Sequence, residues 1–526
     1  MSAVLSFPKT ENEIISYNPA TGEEFGRAAN TSAESVWEAV EKSRRAFEKW
    51  KETSFKERAK FVMRAREVIL SELDAIARLI SDESGKPIAE SLSMEIAPVL
   101  DLMQYFAKNA AKMLKPERVN IGLYATLGRT SKIIYKPLGT VGIIPAWNYP
   151  FSIPLGETVM ALMAGNAVIV KPSELTPFIG LKIGEIFEKA GTPEDLVQIV
   201  TGDGRTGAWL VDAGIEKIMF TGSVATGKKI AESAAKHLTS VVLELGGKDP
   251  MIVFADANLE LAAQGAIWGA FCNSGQSCSS VERLYVEEVI AEKFTNLIVE
   301  KTKKLKQDSG DKETTDIAAM SSEKQISTVE DHIKSFREEG AQILTGGKRN
   351  SNFMGAFYEP TVIGKATNEM RGMREETFGP TLPIAIFKTE DEAIDLANDS
   401  DFGLTASVWT KDLAKGKRVA EKILAGTVCV NEVLYTHGIG QTPWGGFKQS
   451  GYGRTHGKLG LMELVAPQHI HINRVLLTPN AWWLPYSPLA VETFRGFARY
   501  FATGSLRQTI KLAPQLLKRI KELRRQ

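Results

Sequence analysis

The sequence predicts an α/β protein with two parallel-sheet domains, a β-hairpin extension and a helical C-terminal tail. Three observations predict it. Short apolar runs alternate with helix-length segments from residue 141 to residue 430, which is the pattern of parallel strands joined by crossover helices. Runs such as 167–170 and 251–254 are apolar at every position, so both faces of each sheet are expected to lie under helices. A chain of 526 residues also exceeds what a single core accommodates.

In chain order, residues 14–23 read as a strand entering a turn at Pro19 and Gly22. Residues 33–111 read as helices broken at Gly85-Lys86-Pro87. Residues 120–137 alternate in a β manner around Gly128 and are expected to form a hairpin. Strands follow at 141–144, 167–170, 196–200, 217–220 and 241–245, with helices at 154–164, 178–190, 204–213 and 226–236 between them. A second α/β block has strands at 251–254, 283–286, 382–387, 406–409 and 427–430. Its helices are expected at 259–270, 292–305, 324–339, 390–398 and 413–423, and a last strand at 468–475. In the tail, 489–501 and 510–523 carry apolar residues at helical spacing with Lys and Arg on the other face.

The bulk composition narrows the function. Hydrophobic residues at 43% and charged residues at 24% are ordinary for a globular protein, and a net charge of +1 leaves no nucleic-acid footprint. The charge is unevenly spread. Residues 494–526 hold nine basic side chains against the single acid Glu522, a net of +8, so the remainder carries −7. Three cysteines and six scattered histidines give neither a disulfide framework nor a metal-ligand spacing, so a reducing, cytoplasmic setting and no metal are expected. Residues 1–13 carry no leader pattern, and no run of 18 apolar residues occurs.

The chemistry gathers around Phe271-Cys-Asn-Ser-Gly-Gln-Ser-Cys-Ser-Ser280, where Cys278 sits among small polar residues after an apolar helix. Such a thiol is open to substrate, and nearby backbone N–H groups can stabilise an oxyanion. Polar turns close four strands: Pro145-Ala-Trp147-Asn148-Tyr149, Lys171-Pro-Ser173-Glu174, Phe220-Thr-Gly222-Ser223 with Gly227, and Glu244-Leu245-Gly-Gly-Lys248. Each alone is an ordinary turn. Together they lie where ligands bind, at the carboxyl edge of a parallel sheet.

These stretches, with Asn18-Pro-Ala-Thr-Gly22, Gly275-Gln-Ser-Cys278, Glu376-Thr-Phe378-Gly-Pro380, Asn431 and Pro443-Trp444-Gly-Gly446, resemble the NAD(P)-dependent aldehyde dehydrogenase superfamily from about residue 17 to about residue 465. The resemblance implies an NAD-binding domain (10–119 and 138–243), a catalytic domain (244–465) and an oligomerisation β extension (120–137 and 466–478), with 479–526 as a tail outside it. It implies that Cys278 is the nucleophile, that the Asn148 amide and the Cys278 N–H stabilise the oxyanion, and that Glu244 is the general base hydrolysing a thioester. The cofactor contacts it implies are Ile144, Pro145, Trp147, Lys171, Ser173, Glu174, Phe220, Gly222, Ser223, Gly227, Leu245, Glu376 and Phe378. Glu174 favours NAD by repelling a 2′-phosphate, with NADP the alternative. Glu244 favours release of a free acid over transfer to coenzyme A. One departure stands out: many relatives carry a glutamate where this chain has Ala466, and Glu463 is the nearest acid, so the exit of the Glu244 proton lacks its usual relay.

The substrate tunnel is expected at Tyr149, Ile153, Gly156, Tyr435 and Trp444, which bring no Lys or Arg and so suit an apolar aldehyde, aliphatic or aromatic. The family resemblance implies a homodimer or homotetramer. The basic tail suits either an anionic membrane surface, giving peripheral attachment, or packing on the body or a neighbouring subunit. The alternatives to an acid-forming dehydrogenase are a CoA-acylating enzyme and a catalytically silent relative whose tail binds a membrane or partner.

Overall fold

The structure is a computed structural model that describes residues 12–476 and 478–525. Residues 1–11, where a leader pattern was sought, lie outside the described residues. The chain forms two compact units. One takes residues up to 114 together with 136–466, and the other takes 115–135 together with 467 onward.

The larger unit holds two sheets. The first has the order Gly451–Tyr452, Ser240–Glu244, Lys217–Thr221, Thr140–Ile144, Ala167–Val170, Val197–Ile199. All its pairings are parallel except at the short Gly451–Tyr452 edge. Strand order reverses at Thr140–Ile144, and crevices open at such reversals. Ile144 pairs with Phe220 and Thr221 with Glu244, so these strands finish level.

The second sheet runs Gln342–Thr345, Thr361–Gly364, Thr381–Phe387, Val281–Glu287, Asp249–Val253, Thr405–Trp409, Thr427–Val430. Only the Gln342–Thr345 edge is antiparallel. Asp249 pairs with Val281, and Leu284 with Ile384. The segments just before those strands, 245–248, 276–280 and 376–380, therefore meet at the amino edge of the second sheet. Residues 245–248 are also the direct exit from the carboxyl edge of the first. The two edges face one crevice because one short connection joins them.

Helix Ser152–Ala164 follows the first crevice strand and is buried along its whole length. Its first turn is fixed by a buried ion pair. Lys86 Nζ lies 2.5 Å from Glu95 Oε1, and both side chains are wholly out of solvent. Glu95 Oε2 accepts the backbone N–H groups of Phe151 (3.1 Å) and Ser152 (2.8 Å), capping the helix with a carboxylate. Lys86 also donates to the Asn148 carbonyl at 2.7 Å.

The smaller unit has a three-stranded sheet, Val465–Asn473, Arg129–Pro137, Glu117–Val119, and two helices, Pro488–Thr503 and Leu506–Arg524. The hairpin expected within 120–137 is corrected here. Its first strand lies earlier, at Glu117–Val119, and Leu123–Thr126 makes a helical turn. The cause is local: Gly122 takes φ +54°, and its N–H bonds to the Asn120 side chain at 3.0 Å, which turns the chain before Leu123. The last strand begins three residues before the expected 468.

Removing one member of the buried pair leaves the other charge unpaired, which typically costs about 3–5 kcal/mol. Lys86→Met is therefore expected to lower the denaturation midpoint sharply, and Lys86→Met with Glu95→Gln to recover part of that loss. Equal loss in the single and double variants would contradict this account.

Candidate active site

Helix Leu259–Phe271 ends against a buried, left-handed stretch: Asn273 (φ 51°), Ser274 (φ 55°) and Gly275 (φ 73°). Only the last is glycine. A Cβ on Gly275 would sit 2.1 Å from the Gly379 carbonyl. The two non-glycine residues hold a strained conformation because their side chains are fully engaged. Asn273 Nδ2 donates to the carbonyls of Asn148 (3.0 Å) and Gln276 (3.1 Å), and its N–H donates to Glu90 Oε2 (2.8 Å). Ser274 Oγ donates to Ala318 O (2.8 Å). The Gln276 amide returns to Asn273 O (2.9 Å) and accepts from Ser321 N (2.9 Å). The polar residues before Cys278 thus build the loop that presents it.

Asn148 is 2% exposed, and its Nδ2 donates to Gln276 O at 3.1 Å. That ties the turn closing the first strand to the cysteine loop and leaves the second amide N–H free of this bond. Burial pushes the Cys278 thiol up, and the carboxyls of Asp249, Glu376 and Glu244 add to it, while its own backbone N–H acts the other way. Burial and these carboxyls together favour the protonated thiol. Glu244 is 6% exposed, with neither carboxyl oxygen hydrogen-bonded. Burial raises it well above the ordinary carboxylate range, the charge of Glu157 raises it further, and Arg454 opposes. Glu157 is 4% exposed on helix Ser152–Ala164, with Oε2 unpartnered, and burial pushes it to about 8. Glu463 instead pairs with Lys217 at 2.7 Å.

Cys278 opens on a cavity of about 290 Å³ lined by Met94, Ala97, Pro98, Tyr149, Ile153, Trp268, Leu434, Tyr435, His437 and Ile439, with Ser and Gly residues between. Burial lowers His437 to about 4, so it is neutral. Of the expected wall, Tyr149, Ile153 and Tyr435 line the cavity and two residues do not. A Cβ on Gly156 would point at Leu102 (3.4 Å), and Trp444 is a 3%-exposed ring packed on His437 and bonded through its backbone to Thr455. The missed wall comes from 93–98, a helical stretch whose sequence carries no sign of chemistry, and equally from the residues around Tyr435 at 434–439.

The cofactor-type residues gather along the shared crevice. Glu376 Oε1 accepts from Gly247 N at 2.9 Å, and burial raises its carboxyl to about 8. Phe378 packs edge-on to Trp147, with ring centroids 5.3 Å apart. Glu282, buried and paired with Lys248, accepts the N–H groups of Thr377 and Phe378 at 2.8 Å each and so fixes both residues. A Cβ on Gly247 would meet the Cys278 carbonyl at 2.2 Å, so this crossing needs glycine. At the other end, Lys171 Nζ lies 3.5 Å from Glu174 Oε2, and the Glu174 side chain is half exposed. Ser223 caps the 12-residue helix Val224–Ala235 by accepting Thr226 N, and Gly222 N bonds to Glu244 O. Gly227, against Leu245, lets that helix approach the strand end. Ser173 Oγ accepts Leu175 N at 3.2 Å, shaping the turn that carries Glu174. Ile144 ends its strand opposite Phe220, one residue before the end of the neighbouring strand, and Pro145 continues from Ile144. A helix N-terminus at the strand reversal, a half-exposed carboxylate further along and a facing carboxyl–aromatic pair fit a dinucleotide.

The aldehyde dehydrogenase family model matches residues 7–470. The chain is 39% identical over 510 residues to the 4,4'-diapolycopene aldehyde oxidase of Methylomonas sp, covering 97% of this chain and 95% of that one. It is 38% identical over 463 residues to the betaine aldehyde dehydrogenase of Bacillus subtilis, covering 87% and 93%. The betaine aldehyde dehydrogenase of Staphylococcus aureus, solved in complex with NAD+, superposes with a TM-score of 0.85 at 34% identity, over 90% of this chain and 94% of that one.

The coupling of the two buried carboxyls has a sign. Glu157→Gln removes a negative charge beside Glu244, so Glu244 should titrate lower and the acidic limb of the kcat–pH profile should move to lower pH, by up to about one unit. An unmoved limb would show that the two groups do not communicate.

Proposed function

The chain belongs to the aldehyde dehydrogenase family, and from that premise we propose that it oxidises an apolar aldehyde, aliphatic or aromatic, to the free carboxylic acid with NAD. The observation that carries the substrate class is the cavity at Cys278, whose lining holds no Lys, Arg, Asp or Glu and only a neutral histidine. A second charge on the substrate would enter it unpaired, and that is costly. The name of the Methylomonas relative points the same way, since a diapolycopene aldehyde is a long hydrocarbon polyene.

The reaction is read from this chain's own residues. The Cys278 thiol gives up its proton to the nearby Glu244 carboxylate, which releases it before hydrolysis, as sulfur bonds to the aldehyde carbon, forming a thiohemiacetal. The carbonyl oxygen becomes an alkoxide held by the Asn148 amide and the Cys278 N–H. NAD bound in the crevice would supply the hydride acceptor, and loss of hydride from the former aldehyde carbon leaves a thioester on Cys278. Glu244, with both oxygens free of protein partners, takes a proton from water as the water attacks that thioester; the C–S bond breaks and the acid departs. The proton held on Glu244 leaves by way of the neighbouring Glu157 when that carboxyl is ionised, in place of the relay missing at Ala466. Glu376 and Phe378 would hold the nicotinamide riboside, Ser223 and the helix it caps the pyrophosphate, and Lys171 and Glu174 the adenosine ribose. Glu174 disfavours a 2′-phosphate, so NAD is preferred to NADP. The acid is formed by hydrolysis, so no coenzyme A is needed.

Steady-state NADH formation over aldehydes graded by chain length and charge tests the reading. Uncharged aliphatic and aromatic aldehydes should give kcat/KM about tenfold or more above succinate semialdehyde and betaine aldehyde. Faster turnover of either charged substrate, or a requirement for coenzyme A, would overturn it. Cys278→Ala should abolish turnover. Glu244→Gln should retain a first burst of NADH and lose about 10²–10⁴ in kcat.

A further inference from the structure

Two adjacent tryptophans in the smaller unit have opposite fates. Trp482 turns inward, packing at a tilt against Phe497 (4.7 Å between centroids) and meeting Tyr124 edge-on. Trp483 turns outward at 58% exposure, followed by Leu484 at 70% and Tyr486 at 64%. These three side chains do not stand on a loose loop. Arg519, wholly buried, donates from Nε to Ala481 O (3.2 Å) and from Nη2 to Trp483 O and Pro485 O (2.7 Å each). Its Nη1 pairs with Glu522 at 2.6 Å, and Glu522 in turn accepts from Ser487 Oγ, the cap of helix Pro488–Thr503. Burying a guanidinium carries a large desolvation cost. Here that cost fixes a loop whose alternate carbonyls point in while its large apolar side chains stand in water. Held rigid, they pay little entropy when they meet a partner.

The surroundings say which partner. Glu522 is the only acid among residues 494–526, and Arg519 consumes it. The flanking Lys518 and Lys521 are exposed, as are Lys511 and Arg507 further along the helix, with Ile510 (67%) and Leu517 (61%) on the same exposed side. Tryptophan and tyrosine prefer the boundary between water and hydrocarbon, and lysines beside them meet anionic headgroups. Among the described residues no helix is long and apolar enough to cross a membrane.

We propose that the loop 483–486, backed by the basic helix end at Lys518 and Lys521, docks the protein on the surface of an anionic lipid bilayer. Trp483, Leu484 and Tyr486 enter the interfacial layer, and the lysines pair with phosphate and carboxylate headgroups. The benefit of this docking rests on the proposed apolar substrate, which concentrates in bilayers, but the docking itself is read without substrate.

The test is flotation of the full-length protein with phosphatidylcholine vesicles, with and without phosphatidylserine, at low and high salt. The wild type should float with the phosphatidylserine vesicles only, and salt should release it. The triple variant Trp483→Ala/Leu484→Ala/Tyr486→Ala should lose about tenfold or more in vesicle affinity. Lys518→Glu/Lys521→Glu should remove the phosphatidylserine dependence. NADH formation from a short water-soluble aldehyde should be unchanged in both variants, which certifies their folding. A wild type that ignores phosphatidylserine vesicles overturns the proposal, as does a triple variant that binds like wild type. So does a triple variant whose sole change is its oligomeric state by sedimentation velocity, since the loop would then face a second copy of this chain. A wild type that floats yet oxidises no aldehyde would instead defeat the proposed reaction.

Discussion

The buried Lys86–Glu95 pair is the constraint on which the rest of the site depends. Two opposite charges without water are tolerable only when their remaining hydrogen-bonding capacity is met. Here it is met entirely by the turn that follows the crevice strand. Lys86 takes the Asn148 carbonyl and lies 4.5 Å from the Tyr149 ring centre, and Glu95 takes the N–H groups of Phe151 and Ser152. The turn therefore has one position, and the Asn148 amide has one direction. That amide reaches the cysteine loop at Gln276, while Asn273 of the same loop returns to the Asn148 carbonyl. A helix break near residue 86, a turn near 148 and a loop near 275 become one rigid body. This is the pre-organisation that an alkoxide needs if its donors are not to reorient as charge develops.

The second feature is the density of buried acids. Burial raises Glu244, Glu157, Glu376 and Asp249 alike, the last to about 8. In such surroundings a charge appears only when something pays for it locally, so proton positions are coupled across the site. The Glu244–Glu157 neighbourhood is the clearest case: on separate elements, both oxygens of Glu244 and Oε2 of Glu157 are buried without a hydrogen-bond partner.

Much of the architecture was legible because it rests on local pattern. Strands apolar on both faces read as a parallel sheet, and the polar turns do fall where those strands finish, since neither needs long-range knowledge. What stayed hidden has specific causes. Lys86 and Glu95 meet Asn148 and Ser152 across 57–62 positions of sequence, within a helical stretch where a Lys and a Glu look like solvated surface. Gly156 does not reach the tunnel wall, and periodicity could not have shown this because helix Ser152–Ala164 is buried on every side. Residues 121–124 alternate like a strand, but the run is too short to outvote the Asn120–Gly122 turn. In the tail, helical spacing was plain, whereas nothing local distinguishes Trp482 from Trp483. Arg519, 36 residues later, makes that distinction.

The strongly raised titration of Cys278 reaches beyond turnover. Peroxide and alkylating agents attack thiolates far faster than thiols. Burial of the Cys278 sulfur among acidic neighbours disfavours the thiolate, and so slows such attack in the resting protein without any lid or covalent cap. Durability in oxidising surroundings and restraint before substrate arrives are then one property of this site, and a substitution that admitted water to the crevice would surrender both.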